Sequence, residues 1–154
     1  MNNFENFFNP NSSLVKKITH EEDPQGKCDA WNGELADIMI GLGIDATLAD
    51  ESQVPALGKN GKKIGYHAIA VGHSSQDDQW IAVDLSAPQF ATQDSIFYYR
   101  GKDFNEMANR IRQQYGGAWK SLDNAKALIQ DMKRRAEANE ENRKLFGDAL
   151  NEEE

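Results

Sequence analysis

The chain has 154 residues and is acidic, since 25 Asp and Glu residues against 17 Lys and Arg residues give a net charge of −8 at pH 7. This length predicts one domain with a core that needs no disulfide or metal ion. The negative charge argues against nucleic acid or an anionic membrane as the main partner, because both would repel the chain. A single cysteine excludes an internal disulfide and fits either a reducing compartment or a reactive thiol.

Residues 1–22 are polar and rich in Asn, with Phe4, Phe7 and Phe8 as apolar anchors, and are predicted to form a flexible arm. They contain no basic segment followed by an apolar one, so the sequence predicts no signal peptide. No apolar run approaches the roughly 20 residues of a membrane-spanning helix. We therefore expect no membrane partner, and a cytoplasmic location or export without a cleavable signal.

Apolar residues recur at helical spacing from Lys27 to Leu42, and Gly41 and Gly43 supply termination signals. The stripe consists of Trp31, Leu35, Ile38 and Leu42. Residues 44–48 are then predicted to form a short strand. Residues 50–62 are predicted to form a long loop, in which Asn60-Gly61 makes a turn.

Two strands are predicted over residues 63–72 and 79–85, which are rich in β-branched and aromatic residues, and a third over residues 95–100. The last third is predicted to be helical. Asp103 begins one helix with a capping box, Gly116-Gly117 ends it, and Ser121 begins a second helix. The apolar stripes are Phe104, Met107, Ile111 and Tyr115 in the first helix, and Leu122, Ala125, Leu128, Ile129 and Met132 in the second.

The predicted organisation is therefore a flexible arm over residues 1–22, one α+β domain over residues 23–132, and a charged tail over residues 133–154. The tail is predicted either to be a solvated helix that docks lightly or to fray. No internal repeat and no further domain boundary is visible.

Three residues of different types make a candidate site. Cys28 stands at the start of the first predicted helix, His67 opens an apolar strand and Asp84 closes the next. A thiol attacks only as the thiolate, which the free N–H groups of a helix N-terminus stabilise. An imidazole can take the thiol proton, and a carboxylate on the other ring nitrogen fixes the tautomer.

Strand alternation supports the histidine–aspartate part of this site. If the two central strands form an antiparallel hairpin in which His67 lies opposite Asp84, then Ile69 faces Ala82 and Val71 faces Trp80. All three pairs then share one face of the sheet. Opposed Cβ atoms lie about 4.5–5.5 Å apart, within reach of a side-chain hydrogen bond.

Simpler interpretations stay open for the same residues. A lone cysteine is more often a small buried hydrophobe than a nucleophile, and an aspartate after an apolar strand is often a strand terminator. Cys28, His67 and Asp84 are also residue types that ligate zinc. Because no paired ligand spacing accompanies them, we predict no metal and no other cofactor.

The residues that carry these features resemble a known superfamily. Residues 26–28 (Gly-Lys-Cys), the helix after them and residues 43–46 (Gly-Ile-Asp-Ala) resemble the first half of a transglutaminase-like core. Residues 66–71 (Tyr-His-Ala-Ile-Ala-Val) and 80–84 (Trp-Ile-Ala-Val-Asp) resemble its second half. Residues 85–90 (Leu-Ser-Ala-Pro-Gln-Phe) resemble the segment after the catalytic aspartate in bacterial papain-fold toxin and effector domains. The resemblance covers residues 25–92 and favours the papain-like group over the transglutaminases, which commonly have Pro-Thr after the aspartate.

The resemblance implies a papain-like α+β fold. Its N-terminal helix carries the nucleophile and packs on a small antiparallel sheet, and C-terminal helices without a counterpart in the family follow. It implies Cys28 as nucleophile, His67 as general base and acid, and Asp84 as the orienting carboxylate. It also implies a polar oxyanion-hole donor upstream of the nucleophile. Gln25 is the candidate, with His20 or a backbone N–H as alternatives.

The function we expect is a thiol-dependent hydrolase or acyl-transfer enzyme acting on protein or peptide amides, with a bacterial effector or toxin role by analogy. Proteolysis, glutamine deamidation and transglutamination would use the same three residues. The alternative is a non-catalytic acidic interaction or inhibitor protein, suggested by the net charge and by the tail Asn151–Glu154. The sequence does not indicate an oligomeric state.

Overall fold

The computed structural model describes residue 9, residues 11–20 and residues 23–152. Over these residues the chain is an α+β protein with four α-helices and one four-stranded antiparallel sheet of strand order β1-β2-β3-β4. The elements are α1 (Ser13–Thr19), α2 (Cys28–Gly41), β1 (Asp45–Leu57), β2 (Lys63–Ser74), β3 (Gln79–Asp84), a 3₁₀ turn (Ala87–Gln89), β4 (Phe97–Gly101), α3 (Phe104–Tyr115) and α4 (Ser121–Glu152).

Helices cover both faces of the sheet. Alternate residues of β2 and β3 enter two apolar clusters: Ile69 and Ala82 pack with α3 and α4, whereas Ala70 and Ile81 pack with α1 and α2. Because both faces are buried, the two central strands read as continuous apolar runs. His67 and Asp84 have the same parity as Ile69 and Ala82, so they lie on the face that α3 and α4 cover.

The predicted hairpin register is wrong by two residues. Val71 pairs with Ala82 and not with Trp80, and Ala70 pairs with Val83. A displacement of two keeps every side chain on its predicted face, whereas a displacement of one would have reversed them. His67 and Asp84 are consequently diagonal neighbours across the two strands and not a directly opposed pair.

The predicted long loop over residues 50–62 is also wrong in its first part, because β1 continues to Leu57. This strand lies at the edge of the sheet and pairs with β2 alone among the named strands. Register shifts between Glu51 and Val54 and between Val54 and Leu57 accommodate Pro55. Edge strands tolerate proline and polar residues because one side needs no ladder hydrogen bonds. The turn at Asn60-Gly61 is confirmed, since the Gly61 N–H donates to the Gly58 carbonyl at 2.9 Å.

The segment predicted as a flexible arm contains a packed helix. The Ser12 hydroxyl accepts a hydrogen bond from the Val15 N–H at 3.1 Å and caps α1. Val15 and Ile18 are buried in the same apolar cluster as Trp31 of α2. This two-residue stripe is too short to be recognised as helical periodicity. Phe4, Phe7 and Phe8 lie outside the described residues.

The two C-terminal helices begin where the sequence predicts. The Asp103 side chain accepts hydrogen bonds from the Asn105 and Glu106 N–H groups and caps α3. Ser121 begins α4, but Leu128 of its predicted stripe is 48% exposed. The helix continues through the charged tail, and the side chains of residues 134–146 are exposed. Residues 153–154 lie outside the described part of the chain.

Candidate active site

Cys28 is the first residue of α2 and is only 7% exposed. The preceding turn is closed by a hydrogen bond from the Lys27 N–H to the Pro24 carbonyl at 3.2 Å. No side chain caps this helix end. The thiol therefore stands beside N–H groups that have no partner within the helix, the environment that favours a thiolate.

His67 and Asp84 form a buried pair. Nε2 of His67 lies 2.6 Å from Oδ2 of Asp84, and neither side chain has exposed surface. His67 comes from β2, and Asp84 is the last residue of β3. Because Asp84 occupies Nε2, the other ring nitrogen, Nδ1, is the one available to a thiol.

Burial and the interactions within the pair shift the pKa values of His67 and Asp84 in opposite directions. Burial alone would lower the pKa of His67, but the Asp84 charge and hydrogen bonds with Asp84 and Cys28 outweigh it and raise the pKa to about 9. Burial alone would raise the pKa of Asp84, but the His67 charge and hydrogen bonds from His67, Tyr115 and Asn32 hold it below its ordinary value. The pair therefore favours imidazolium and carboxylate near neutral pH.

Asp84 receives five hydrogen bonds. Oδ1 accepts from the Asn32 amide at 2.9 Å, from the Ser86 N–H at 2.9 Å and from the Ser86 hydroxyl at 2.8 Å. Oδ2 accepts from His67 and from the Tyr115 hydroxyl. Such a set of donors replaces the water that a buried carboxylate has lost.

Asn32 ties α2, the helix that Cys28 begins, to the pair. It lies one helical turn after Cys28 and has no exposed surface. Its Nδ2 also donates to the Ala68 carbonyl at 2.8 Å, and its Oδ1 accepts from the Leu85 N–H at 2.9 Å. These bonds fix the start of α2 against β2 and the end of β3.

The glutamine that lies beside the pair is Gln89, and the role of Gln25 as oxyanion-hole donor stays a prediction. Gln25 is exposed, whereas Gln89 is buried in the 3₁₀ turn after β3. Its Oε1 accepts from the Gly26 N–H at 3.3 Å, and its Nε2 lies 3.3 Å from His67 Nδ1. Because a backbone N–H can only donate, the amide oxygen faces Gly26 and the amide nitrogen lies next to the His67 ring.

Aromatic rings enclose His67. Its ring centroid lies 4.8 Å from that of Phe90, 4.9 Å from that of Tyr115 and 6.3 Å from that of Trp119. Tyr115 ends α3, and Trp119 lies in the connection between α3 and α4. The C-terminal helices thus build one wall of the site.

Two polar contacts fasten the α3–α4 connection to the edge strand. Glu51 accepts a hydrogen bond from the Trp119 N–H at 2.6 Å, which is the main reason that the pKa of Glu51 is lowered. The Ser121 hydroxyl accepts from the Asp50 N–H at 2.8 Å and donates to the Asp50 carbonyl. The connection therefore has a fixed place over the site.

A groove of about 530 Å³ separates this connection from the edge strand. It is lined by residues 50–53, 66, 117–118 and 120–121. The hydroxyl of Tyr66 in its wall donates to Asp29 at 2.9 Å, and Asp29 is the residue after Cys28. Tyr66 therefore connects the wall of the groove to the start of α2, although Cys28, His67 and Asp84 are not among the residues that line it.

Comparison of the chain with protein-family models, with curated proteins and with solved structures returned no match. Within residues 9, 11–20 and 23–152, no three His, Cys, Asp or Glu side chains are grouped so that they could hold a metal ion. None of the helices described there is both long and apolar enough to cross a membrane.

The sequence predicts Cys28, His67 and Asp84 as candidate site residues, but it does not predict the residues that hydrogen-bond to the pair. Asn32, Ser86, Gln89 and Tyr115 all bond to His67 or Asp84. Asn32 was detectable as a polar residue next to Trp31 in an amphipathic helix. Tyr115 carried no such signal, because it fits the apolar stripe of α3.

Proposed function

We propose that this protein is a thiol-dependent hydrolase or acyl-transfer enzyme that acts on protein or peptide amides through Cys28, His67 and Asp84. The observation that carries the proposal is the buried 2.6 Å bond between His67 and Asp84, formed beside a thiol at a helix N-terminus. A buried, charged pair is costly unless it is fully hydrogen-bonded. Here five donors on Asp84 meet that cost and hold the imidazole with Nδ1 turned away from the carboxylate, where the Gln89 amide also lies 3.3 Å from it.

In the acylation step, the thiol proton of Cys28 already resides on His67 Nδ1 as an imidazolium–thiolate pair, and the thiolate attacks the amide carbonyl carbon. The tetrahedral intermediate collapses when the same nitrogen gives the proton to the leaving nitrogen. The C–N bond breaks, a thioester remains on Cys28, and an amine or ammonia departs. Asp84 stabilises the imidazolium throughout and does not itself take the proton.

In the second step, a water molecule or an acceptor amine attacks the thioester. His67 Nδ1 removes a proton from it, and the C–S bond breaks as the thiolate leaves. Water gives a carboxylic acid, and an amine gives a new amide. Hydrolysis of a peptide bond, deamidation of glutamine and transfer to an amine therefore share one acyl-enzyme.

The fold is compatible with a papain-like core, which is part of the proposal. The nucleophile begins a helix that packs on an antiparallel sheet, and the histidine and aspartate come from two adjacent strands, in the order that the resemblance implies. The groove beside Tyr66 is the proposed approach for an extended substrate.

The direct experiment incubates the protein with glutamine-containing peptides and a fluorescent primary amine, and follows ammonia release, peptide cleavage and amine incorporation by mass spectrometry. We expect one of these products, and an adduct on Cys28 whose mass equals substrate minus leaving group. Cys28→Ala should lower the rate by at least about 10³-fold.

Asp78→Asn is a matched control, because Asp78 forms a similar bond to His73 at 3.0 Å but is largely exposed. It should leave the rate unchanged. A biological activity that survives Cys28→Ala would contradict the proposal and would favour the acidic interaction protein.

A further inference from the structure

Tyr115 stands out among the residues that contact the pair, because it comes from the helices that the papain-like resemblance does not cover. It is the last residue of α3 and is 2% exposed. Its hydroxyl donates to Oδ2 of Asp84. This is the same oxygen that binds His67 Nε2.

The two oxygens of Asp84 are therefore used differently. Oδ1 accepts only from neutral groups, namely Asn32 and Ser86. Oδ2 is shared between His67 and a neutral hydroxyl. A second donor on the same oxygen withdraws part of the negative charge that would otherwise hold the imidazole proton.

We propose that Tyr115 is a positioning residue that, through its hydroxyl on Asp84 Oδ2, limits how strongly the carboxylate retains the proton on His67. The inference rests on the proposed function, because it concerns the step in which His67 must become a base. Deacylation needs a neutral imidazole to take a proton from water. A carboxylate with no competing donor would keep His67 protonated to higher pH and slow that step.

Other charged groups face His67 from the remaining elements. Cys28 approaches from α2, and Glu51 is the residue paired with His67 on β1. Glu51 is held by the Trp119 N–H. Unlike Cys28 and Glu51, Tyr115 donates a hydrogen bond to Asp84 Oδ2, so its effect on His67 passes through the carboxylate.

A purely structural role would give the same contact, because a buried hydroxyl needs a partner. The ring of Tyr115 packs against Phe90, Phe97 and Trp119, with centroids 5.1, 5.8 and 5.8 Å away. Tyr115→Phe keeps this packing and removes only the hydroxyl. The free energy of unfolding does not distinguish a purely structural role of Tyr115 from an effect on the His67 proton, whereas the titration of His67 does.

The test is a pH titration of the His67 imidazole by NMR in the full chain, for the unaltered protein and for Tyr115→Phe. We expect the midpoint of the variant to rise by about half a pH unit or more. Tyr99→Phe is the matched control, since it removes another buried tyrosine hydroxyl, one that interacts with Glu106. The control should titrate like the unaltered protein.

A second measurement is the pH dependence of the proposed reaction. In Tyr115→Phe the alkaline shift should also appear in the pH dependence of thioester hydrolysis, with KM unchanged. A His67 midpoint that does not move, or that moves equally in Tyr99→Phe, would overturn the inference. If no variant forms a thioester at any pH, the proposed function fails, and the NMR titration still decides the role of Tyr115.

Discussion

The site is held from two sides that contribute different things. The α2 side supplies the thiol of Cys28 and the amide of Asn32, which bonds to Ala68 of β2, to Leu85 after β3 and to Asp84. The α3–α4 side supplies a hydroxyl and aromatic surface through Tyr115 and Trp119. One side thus provides the proposed nucleophile, and the other provides apolar surface around the buried pair.

This division explains why the two sides differ in what they tolerate. On the α2 side, both polar atoms of the Asn32 side chain have specific partners, so a change of hydrogen-bonding type there leaves a buried group unpaired. On the α3–α4 side, the size of a side chain matters more than its hydrogen bonding, because the connection between α3 and α4 must approach the edge strand closely. The following predictions probe the pair first and then the two sides in turn.

The largest effect is expected for Asp84→Asn. The amide removes the charge that stabilises imidazolium and presents N–H groups to donors that already point at it. We expect the free energy of unfolding to fall by about 3–5 kcal/mol, the range for breaking a buried pair. Urea denaturation measures it.

Asp78→Asn is the control for this prediction. Its partner His73 is buried, but Asp78 itself is 83% exposed. The expected loss is at most about 1 kcal/mol, as for an exposed pair. Equal losses for the two variants would show that burial of the Asp84 pair does not matter.

The same pair predicts how stability changes with pH. The folded pKa of His67, about 9, lies above the value of 6.5 expected for the unfolded chain. The stabilisation is therefore complete below about pH 6.5 and is lost as pH rises through about 9. Urea midpoints near pH 6, 8 and 10 should fall in that order, and the fall should be much smaller in Asp84→Asn. A rise in stability across this range would contradict the assignment.

A smaller effect is expected for Gly117→Ala on the α3–α4 side. Gly117 has φ 94°, and an added Cβ would lie 2.8 Å from Cγ of Glu51. The strain and the displaced contact should cost about 1–3 kcal/mol. Loosening the connection should also raise the exposure of Trp119, which its fluorescence reports.

Gly41→Ala is the control for that change. Gly41 lies in the last turn of α2, has no positive φ, and an added Cβ would meet no atom within 4 Å. Alanine is the better helix former, so this change should be neutral or slightly stabilising. If Gly117→Ala were equally harmless, the close approach of the connection to the edge strand would not be required.

Much of the fold could be predicted because local signals agreed with the tertiary structure. The apolar stripe of α2, the capping of α3 by Asp103 and the paired runs of β2 and β3 each have a clear period. The hairpin register could not be fixed in the same way. Side-chain alternation determines only which residues share a face of the sheet. The sequence therefore predicts correctly that His67 and Asp84 share a face, but wrongly that they lie directly opposite each other.

The edge strand and the first helix were missed for a different reason. Residues 50–57 are polar and contain Pro55, and they pair because β2 offers a free edge, which is information outside the segment itself. In α1, two buried residues, Val15 and Ile18, depend on a surface that α2 supplies. The sequence likewise does not predict that Gln89 lies in the site, because only the turn after β3 brings its side chain to the Gly26 N–H.

The most direct test of the central claim is the pH dependence of Cys28 alkylation by iodoacetamide in the folded protein, compared with His67→Gln. We predict rapid alkylation near pH 6 in the unaltered protein, slowed at least about tenfold in the variant, because the imidazolium that stabilises the thiolate is then absent. Alkylation that rises in both proteins only near pH 8.5, the ordinary value of a free thiol, would contradict the account.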